Sequence, residues 1–547
     1  MKRTKTIWYE HQNKATWNPE YPECSMYRYL VDKTAKWPRL DALEFEGIKI
    51  SFSKLNEEII KVAKAFIQFG IKDGDIVTII SPNIPQAVIS FYALNSIGAI
   101  GNMLHPMLSV NEMKTFINNT ESKLVLVLDM FENKIKDCDV PIVVMHISDA
   151  LPAIKKVLYR TIKEKKPIKG IDWNQFVKNG KNAKFKEHQG KGDDLAAIMY
   201  SGGTSGTSKG VMLTNRNFNA LAIQSYDTMG IVDVSGMKCL NILPIFHGTG
   251  LGVTIHSMLT NGISSILIPK FDPVKTCKVI FKRKTEFIFG VPAFYDVLTR
   301  CPEIEKKSCK FMTVLGSCGD KLPEKTRQRM NHYLEKSGAP CTLTNGYGMT
   351  ECTAGCCYEP YFKKKKGTSG IMNPDNLAKI VKPGTDVELP IGEIGELCIS
   401  GPIVMKGYYK NQQATDESLK KHADGLIWLH SGDAFSIDEE GYLTFHQRLD
   451  RMFVVSGFNI YPSAIEDVIL SVPGITHCCV IGKQTAVVGK KIIAYVIGRQ
   501  SCEQEIKKAC LDKLPEYSQP LKIIFLDEFP KTKMSKVDYL ALEKRDI

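Results

Sequence analysis

The feature that most constrains this chain is the repeated appearance of short, uninterrupted apolar runs separated by amphipathic stretches. A strand buried on both faces meets no water on either side, so it reads as a continuous apolar run and not as an alternation. The runs DIVTIIS (75–81) and SKLVLVLD (122–129) have this character, and SSILIP (264–269), EFIFGVP (286–292) and FMTVLGS (311–317) follow it. Between such runs, LNEEIIKVAKAFIQFG (55–70) places apolar residues at helical spacing and ends on a glycine that stops the helix. Strands alternating with helices specify an α/β chain with mainly parallel sheets.

Towards the C-terminus, HCCVIGK (477–483) and KKIIAYVIG (490–498) read as strands and EQEIKKACLDKL (503–514) as a helix. They form a compact stretch of about a hundred residues, enough for a small domain of its own. The expected architecture is a large N-terminal domain, residues 1–449, of layered and mainly parallel sheets with helices. A small α+β domain, residues 450–547, completes it. No internal repeat is present.

Ile76 to Asn111 contains no Asp, Glu, Lys or Arg, which invites reading it as a membrane span. Pro82, Asn83, Pro85, Asn95, Asn102 and Pro106 divide it, so a buried strand, a turn and a core helix are expected instead. The N-terminal MKRTKTIWYEHQ is basic with no apolar stretch behind it, unlike a signal peptide. The sixteen cysteines contain no CxxC, and Cys352, Cys356 and Cys357 lack zinc-site spacing, so a reducing cytoplasm is expected.

The formal net charge of +13 suits an anionic partner or simply a soluble surface. Much of it is concentrated in 155–191, beginning KKVLYRTIKEKKPIKG, where Leu, Tyr and Ile interleave with lysines. Three readings are open: a solvated loop, an interfacial helix at the inner membrane face, and an electrostatic nucleic-acid patch. No nucleic-acid-binding motif accompanies it, so nucleic acid is not expected as a partner.

Tyr200–Asn215 reads YSGGTSGTSKGVMLTN. Glycines let the backbone approach a ligand closely, and hydroxyls, exposed N–H groups and a lysine suit a phosphate chain. Composition alone equally allows a flexible Gly/Ser linker. The order Ser208-Lys209-Gly210 is not that of a Walker A loop. The stretch resembles the phosphate-binding signature of the adenylate-forming superfamily, which includes acyl-CoA synthetases, peptide-synthetase adenylation domains and luciferases. It departs from that signature at Gly202, where serine is usual, and at Ser208, where proline is usual. Thr204, Ser205, Gly206 and Lys209 match it and are implied to bind the phosphates.

Further motifs follow in the superfamily's order. NGYGMTE (345–351) resembles its nucleotide and acyl motif. The resemblance implies that Tyr347 stacks on adenine, Asn345 bonds the adenine amine and Gly346 belongs to the same site. Thr350 then offers its hydroxyl to the α-phosphate, and Glu351 a hard oxygen to Mg²⁺. GSCGDKLP (316–323) resembles the segment lining the adenine and acyl pocket, implicating Gly316, Gly319 and Asp320. HSGD (430–433) places Asp433 where a carboxylate accepts from both ribose hydroxyls. RLDRMFVVSGFNIYPSAIE (448–466) resembles the hinge region. Arg448 is thereby implied to contact ribose or phosphate, Asp450 to act as the hinge, and Ser456, Gly457 and Phe458 to face coenzyme A. PKTKMSKVDYL (530–540) resembles the terminal motif, making Lys536 the catalytic lysine of a mobile C-terminal domain. Ser535 stands where glycine is usual there, and Tyr539 where arginine is common.

The activity implied is a two-step one. ATP converts a carboxylate to an acyl-adenylate with release of pyrophosphate, and a thiol then takes the acyl group. LPIFHGTG (243–250) has His247 where amino-acid-activating relatives carry aspartate, which implies an acyl or gate role. Gly348 stands where short-chain synthetases close the pocket with tryptophan, and glycine is expected to leave space for a longer acyl group. The basic insert and VVSGFNIYP also resemble long-chain fatty-acid ligases. A medium- or long-chain fatty acid and coenzyme A are the expected substrates. Aryl acids, a ligase loading an acyl carrier protein, and an inactive ligand-binding or membrane-scaffold homologue are the alternatives.

Overall fold

The computed structural model describes residues 20–162, 169–201, 208–229, 233–360, 363–455, 458–485, 489–530 and 537–545. The chain divides into two compact units. The first takes residues 1–378, 399–429 and 439–443, and the second 379–398, 430–438 and 444–547.

Two large sheets form the frame of the first unit. One has eight strands, in the order Gly407–Tyr408, Lys209–Thr214, Leu195–Ser201, Ile100–Leu104, Ile76–Ile80, Leu124–Leu128, Ile142–Met145 and Ile171–Asp172. From Leu195–Ser201 onward every neighbouring pair is parallel, and the first two pairings are antiparallel. The second sheet has nine strands. Its centre, Leu343–Tyr347, Val314–Ser317, Phe287–Gly290, Lys238–Asn241, Ser264–Leu267 and Asp41–Phe45, is parallel throughout.

The apolar runs are the central strands, and they are buried as their composition requires. Every residue of Ile76–Ile80, Ile100–Leu104 and Leu124–Leu128 is buried. The charge-free stretch resolves into two of these strands and the helix Pro85–Ser96, all twelve residues of which are buried. Proline opens that helix, where its missing N–H costs nothing. Among the described residues no helix is long and apolar enough to cross a membrane.

The second unit contains a three-stranded sheet, Ile475–Thr485, Gly489–Gly498 and Lys522–Phe525. Its two-residue period sends side chains to two separate cores. Val480, Ile492, Ala494 and Val496 pack with Ile465 and Ile469 of the helix Pro462–Leu470, and with Ile506 of the helix Glu503–Lys513. Cys479, Ile481, Ile493 and Tyr495 pack on the other face with Phe529 and Leu542. All sixteen cysteines are free thiols and most are buried, acting as small apolar side chains.

One polar group lies in the deepest part of the first unit. His256 is completely buried, with Nδ1 3.0 Å from the Tyr92 hydroxyl and Nε2 2.9 Å from Asn219 Oδ1. A neutral imidazole satisfies both partners, accepting from Tyr92 and donating to Asn219. Burial pulls its pKa down to about 3, from an ordinary value of 6.5. The unfolded chain therefore binds a proton that the folded chain refuses. This contribution to stability is complete above 6.5 and is lost as pH falls towards 3. Denaturant midpoints are expected to fall between neutral pH and about pH 5, with His256→Gln flattening the slope by up to about 1.4 kcal/mol per pH unit. An unchanged slope in the variant would remove His256 from that account.

Candidate active site

Parallel strands side by side bring their carboxyl ends to one edge of the sheet, and loops leaving that edge converge. Lys238–Asn241 leads to His247, Phe287–Gly290 to Val291, and Val314–Ser317 to Gly319 and Asp320. Leu343–Tyr347 leads to the turn Gly348–Glu351. Most of the motifs found in the sequence of this unit sit on that edge.

Glu351 is the most constrained member. It is buried, at 5% exposure, in the 3₁₀ turn Thr350–Cys352. Its Oε1 accepts from the Tyr408 hydroxyl at 2.9 Å, and its backbone carbonyl accepts from Met405 N at 2.9 Å. Oε2 has no partner among the described residues. Tyr408 is held by the strand Gly407–Tyr408, which pairs with Lys209–Thr214, and Tyr409 N donates to the Gly210 carbonyl at 2.8 Å. The Lys209 ammonium lies over the Tyr408 ring, 4.9 Å from its centre. One tyrosine thus joins the lysine of the glycine-rich stretch to the buried acid. Ser201 and Lys209 are paired across an antiparallel hairpin, so residues 202–208 are its connection. Thr204, Ser205 and Gly206 lie outside the described residues.

Asn345 and Tyr347 are two apart on one strand, so both project from the same face. The Asn345 amide donates to the Thr368 carbonyl at 3.2 Å, leaving Oδ1 buried and without a partner. Its backbone N–H donates to Glu359 Oε2 at 2.7 Å. Glu359 is fully buried, and Arg327 Nη1 donates to both its oxygens at 2.9 Å each. That pair fixes the strand end from behind. Gly346 is buried against the Tyr358 ring, and Gly316 against Phe289. Gly319 and Asp320 form an exposed turn, where Asp320 Oδ1 accepts from Lys321 N at 2.8 Å.

His247 is half-buried at the start of a segment that continues into the π-helix Thr249–Ser257. Asn83 clamps that segment, with Oδ1 accepting from Ile245 N at 2.7 Å and Nδ2 donating to the Leu243 carbonyl at 2.9 Å. The His247 ring lies 4.8 Å from Phe246 and 6.0 Å from His105. Burial, then Lys134, lowers the pKa of His105, and its Nδ1 accepts from Met107 N at 2.9 Å. Gly248 lets this segment reach the turn carrying Glu351, because a Cβ there would meet the Thr353 carbonyl. Thr353 itself is fully buried at φ +68°, a costly conformation for a β-branched residue, and its hydroxyl donates to the Ile403 carbonyl at 2.6 Å.

Within the second unit, Arg448 Nε lies 3.0 Å from Asp433 Oδ1. Asp433 is buried and Arg448 exposed. Asp450 is exposed in the turn Leu449–Arg451 that follows. Phe458 opens the short strand Phe458–Ile460. Ser456, Gly457 and Lys536 lie outside the described residues.

The family described as AMP-binding enzyme matches residues 30–409, and its C-terminal domain matches residues 464–536. A long-chain-fatty-acid–CoA ligase of Bacillus subtilis (strain 168) is 30% identical, over 96% of this chain and 97% of that protein. A probable 4-coumarate–CoA ligase 1 of Dictyostelium discoideum is 30% identical, over 95% of this chain and 94% of that protein. The crystal structure of ATP-bound MatB from Rhodopseudomonas palustris superposes with a TM-score of 0.82 at 26% identity, over 96% and 99% of the two chains. The chain belongs to the AMP-binding enzyme family. It is an acid–thiol ligase of the adenylate-forming kind, an acyl- or aryl-CoA ligase.

In this AMP-binding enzyme, Gly348 sits in a tight part of the turn. Gly348 does not border open space in the direction a side chain would take. A Cβ there would run into the Ala354 carbonyl oxygen and the Gly355 backbone. Glycine is required there because the turn folds back on itself.

Sequence reading also passed over Tyr408, Asn83, Glu359, Arg327, Thr353 and His105. A lone Tyr-Tyr or Glu-Pro pair carries no signal until distant strands are brought together. Tyr408→Phe leaves the buried Glu351 short of one hydrogen bond to a charged group, and is expected to lower kcat by roughly tenfold to a hundredfold with the fold intact. Pyrophosphate release alongside circular dichroism checks this. Gly348→Ala is expected to depress turnover of short and long acids alike, because it displaces the turn carrying Thr350 and Glu351. A selective loss of long acids would instead support a place for Gly348 in the acyl pocket.

Proposed function

We propose that this ligase activates a medium- or long-chain fatty acid as its acyl-adenylate and passes the acyl group to coenzyme A. The arrangement of Lys209, Tyr408 and Glu351 carries the reading, since it sets a cation and a buried carboxylate around a single phenol. In this reading Asn345 Oδ1 accepts from the adenine amine, and the Tyr347 ring stacks on the base. Unpartnered and buried, that oxygen has the chemistry an exocyclic amine requires. Thr204, Ser205, Gly206 and Lys209 hold the β- and γ-phosphates, with Gly346, Gly319 and Asp320 around the nucleotide. Asp433 accepts from the ribose hydroxyls and Arg448 contacts ribose or phosphate. Gly316 and His247 line the acid's approach.

Glu351 fits a Mg²⁺ ligand, because Tyr408 fixes one oxygen and leaves the other for a hard cation. A cation bound there neutralises charge on the phosphate oxygens during transfer. Thr350 donates its hydroxyl to the α-phosphate as the carboxylate attacks, and Lys536 supplies the second cation. Residues 1–449 form the nucleotide- and acid-binding domain. Residues 450–547 turn about Asp450 after adenylation, withdrawing Lys536 and bringing Ser456, Gly457 and Phe458 to the thiol. The relatives named for long-chain fatty acids support a fatty acid, others being named for 4-coumarate, and the histidine at 247 supports an acid without an α-ammonium.

Thioester formation with ATP, Mg²⁺ and coenzyme A across acids from acetate to palmitate, with benzoate and 4-coumarate included, tests the reading. The optimum is expected among medium or long fatty acids, and an aryl optimum overturns it. AMP without thioester replaces coenzyme A by a carrier protein as acceptor. Lys536→Ala is expected to slow adenylation by about 10²–10³, measured as pyrophosphate release. An undiminished rate removes Lys536 from the mechanism.

A further inference from the structure

Surface helices normally turn their apolar stripe to the core and their charges to water. The helix Ala153–Ile162 does the reverse. Ile154 is 87% exposed, the highest value for a large apolar side chain among the described residues, with Val157 at 64% and Leu158 at 59%. The spacing of these three places them on one face. The charges instead tie the helix down. Lys155 pairs with Glu46 at 2.6 Å, while Lys156 and Arg160 pair with Asp149 at 3.3 and 2.9 Å. No side chain described on this helix is buried.

The remainder of the basic segment is not available in the same way. Asp172 caps the helix Trp173–Asn179, whose Trp173 and Phe176 are buried, and Phe176 packs 5.4 Å from Phe66. Among the described residues of 153–191, the exposed apolar face is therefore that of a single helix.

We propose that the face formed by Ile154, Val157 and Leu158 docks on an anionic lipid bilayer. The occupant follows from charge. Residues 153–169 contain seven Lys or Arg and one Glu, and among the described residues Glu46 and Asp149 pair with three of those cations. A helix laying apolar side chains among acyl chains, with an excess of lysines beside it, matches an anionic headgroup layer and opposes a second copy of this basic chain. The proposal does not depend on which acid the enzyme activates.

Co-sedimentation of the full-length protein with extruded vesicles tests it, comparing phosphatidylcholine alone with a mixture holding about 30% phosphatidylglycerol. Binding is expected on the anionic vesicles and is expected to weaken with added salt. Combining Ile154→Ser, Val157→Ser and Leu158→Ser is expected to weaken it by roughly tenfold to a hundredfold. Because all three side chains are exposed, melting temperature and ligase activity on a water-soluble acid should be unchanged. Equal vesicle binding by wild type and variant overturns the proposal, as does failure of the wild type to bind either vesicle. A dimer in solution that the variant abolishes also overturns it, in favour of a second copy.

Discussion

Burying a carboxylate is costly unless hydrogen bonds replace the lost water, and much of the first unit's design serves that requirement at Glu351. The carboxylate's compensation comes from the Tyr408 hydroxyl, more than fifty residues later in the chain, while Met405 N holds the Glu351 backbone carbonyl. Tyr408 is positioned by a two-residue strand that pairs with the hairpin carrying Lys209. The acid, the phenol and the cation therefore form one assembly. Neither the acid nor the phenol can move far without leaving a buried polar group unanswered.

The same logic extends outward from the turn. Thr353 holds its positive φ because the Ile403 carbonyl receives its hydroxyl and the segment after His247 presses against its own carbonyl. Asn83, leaving the carboxyl end of one sheet's central strand, clamps the loop that leaves the other sheet. On the far side, Arg327 and Glu359 anchor the strand end that displays Asn345 and Tyr347. Pre-organisation of this kind suits a reaction in which charge accumulates on a phosphate, because the dipoles are already oriented before charge develops. The basic outer helix follows a different rule, holding itself by ion pairs and leaving its apolar side chains in water.

Much of the architecture was legible from the chain. Continuous apolar runs such as Ile76–Ile80 and Leu124–Leu128, rich in β-branched residues, read as strands covered on both faces. In the charge-free stretch the prolines and asparagines marked a strand and a helix, but not its second strand, Ile100–Leu104. Candidate residues around the nucleotide were legible wherever they stand within contiguous motifs, as in NGYGMTE. At Gly348 the sequence is silent about whether the missing side chain faces a cavity or a neighbouring carbonyl, and the turn supplies the carbonyl of Ala354.

By itself, the sequence determined the strand and helix periods, the mainly parallel sheets, and the residue types able to handle phosphate and carboxylate. Those properties are local, set by side-chain hydration and backbone preference over a few positions. Tertiary structure decided which groups meet: Tyr408 with Glu351, Glu359 with Asn345, Thr353 with Gly248. It also decided which apolar residues stay outside, burying Trp173 and Phe176 while leaving Ile154 exposed. Such pairings depend on strand order and on the close approach of segments tens to hundreds of residues apart, which no local pattern encodes.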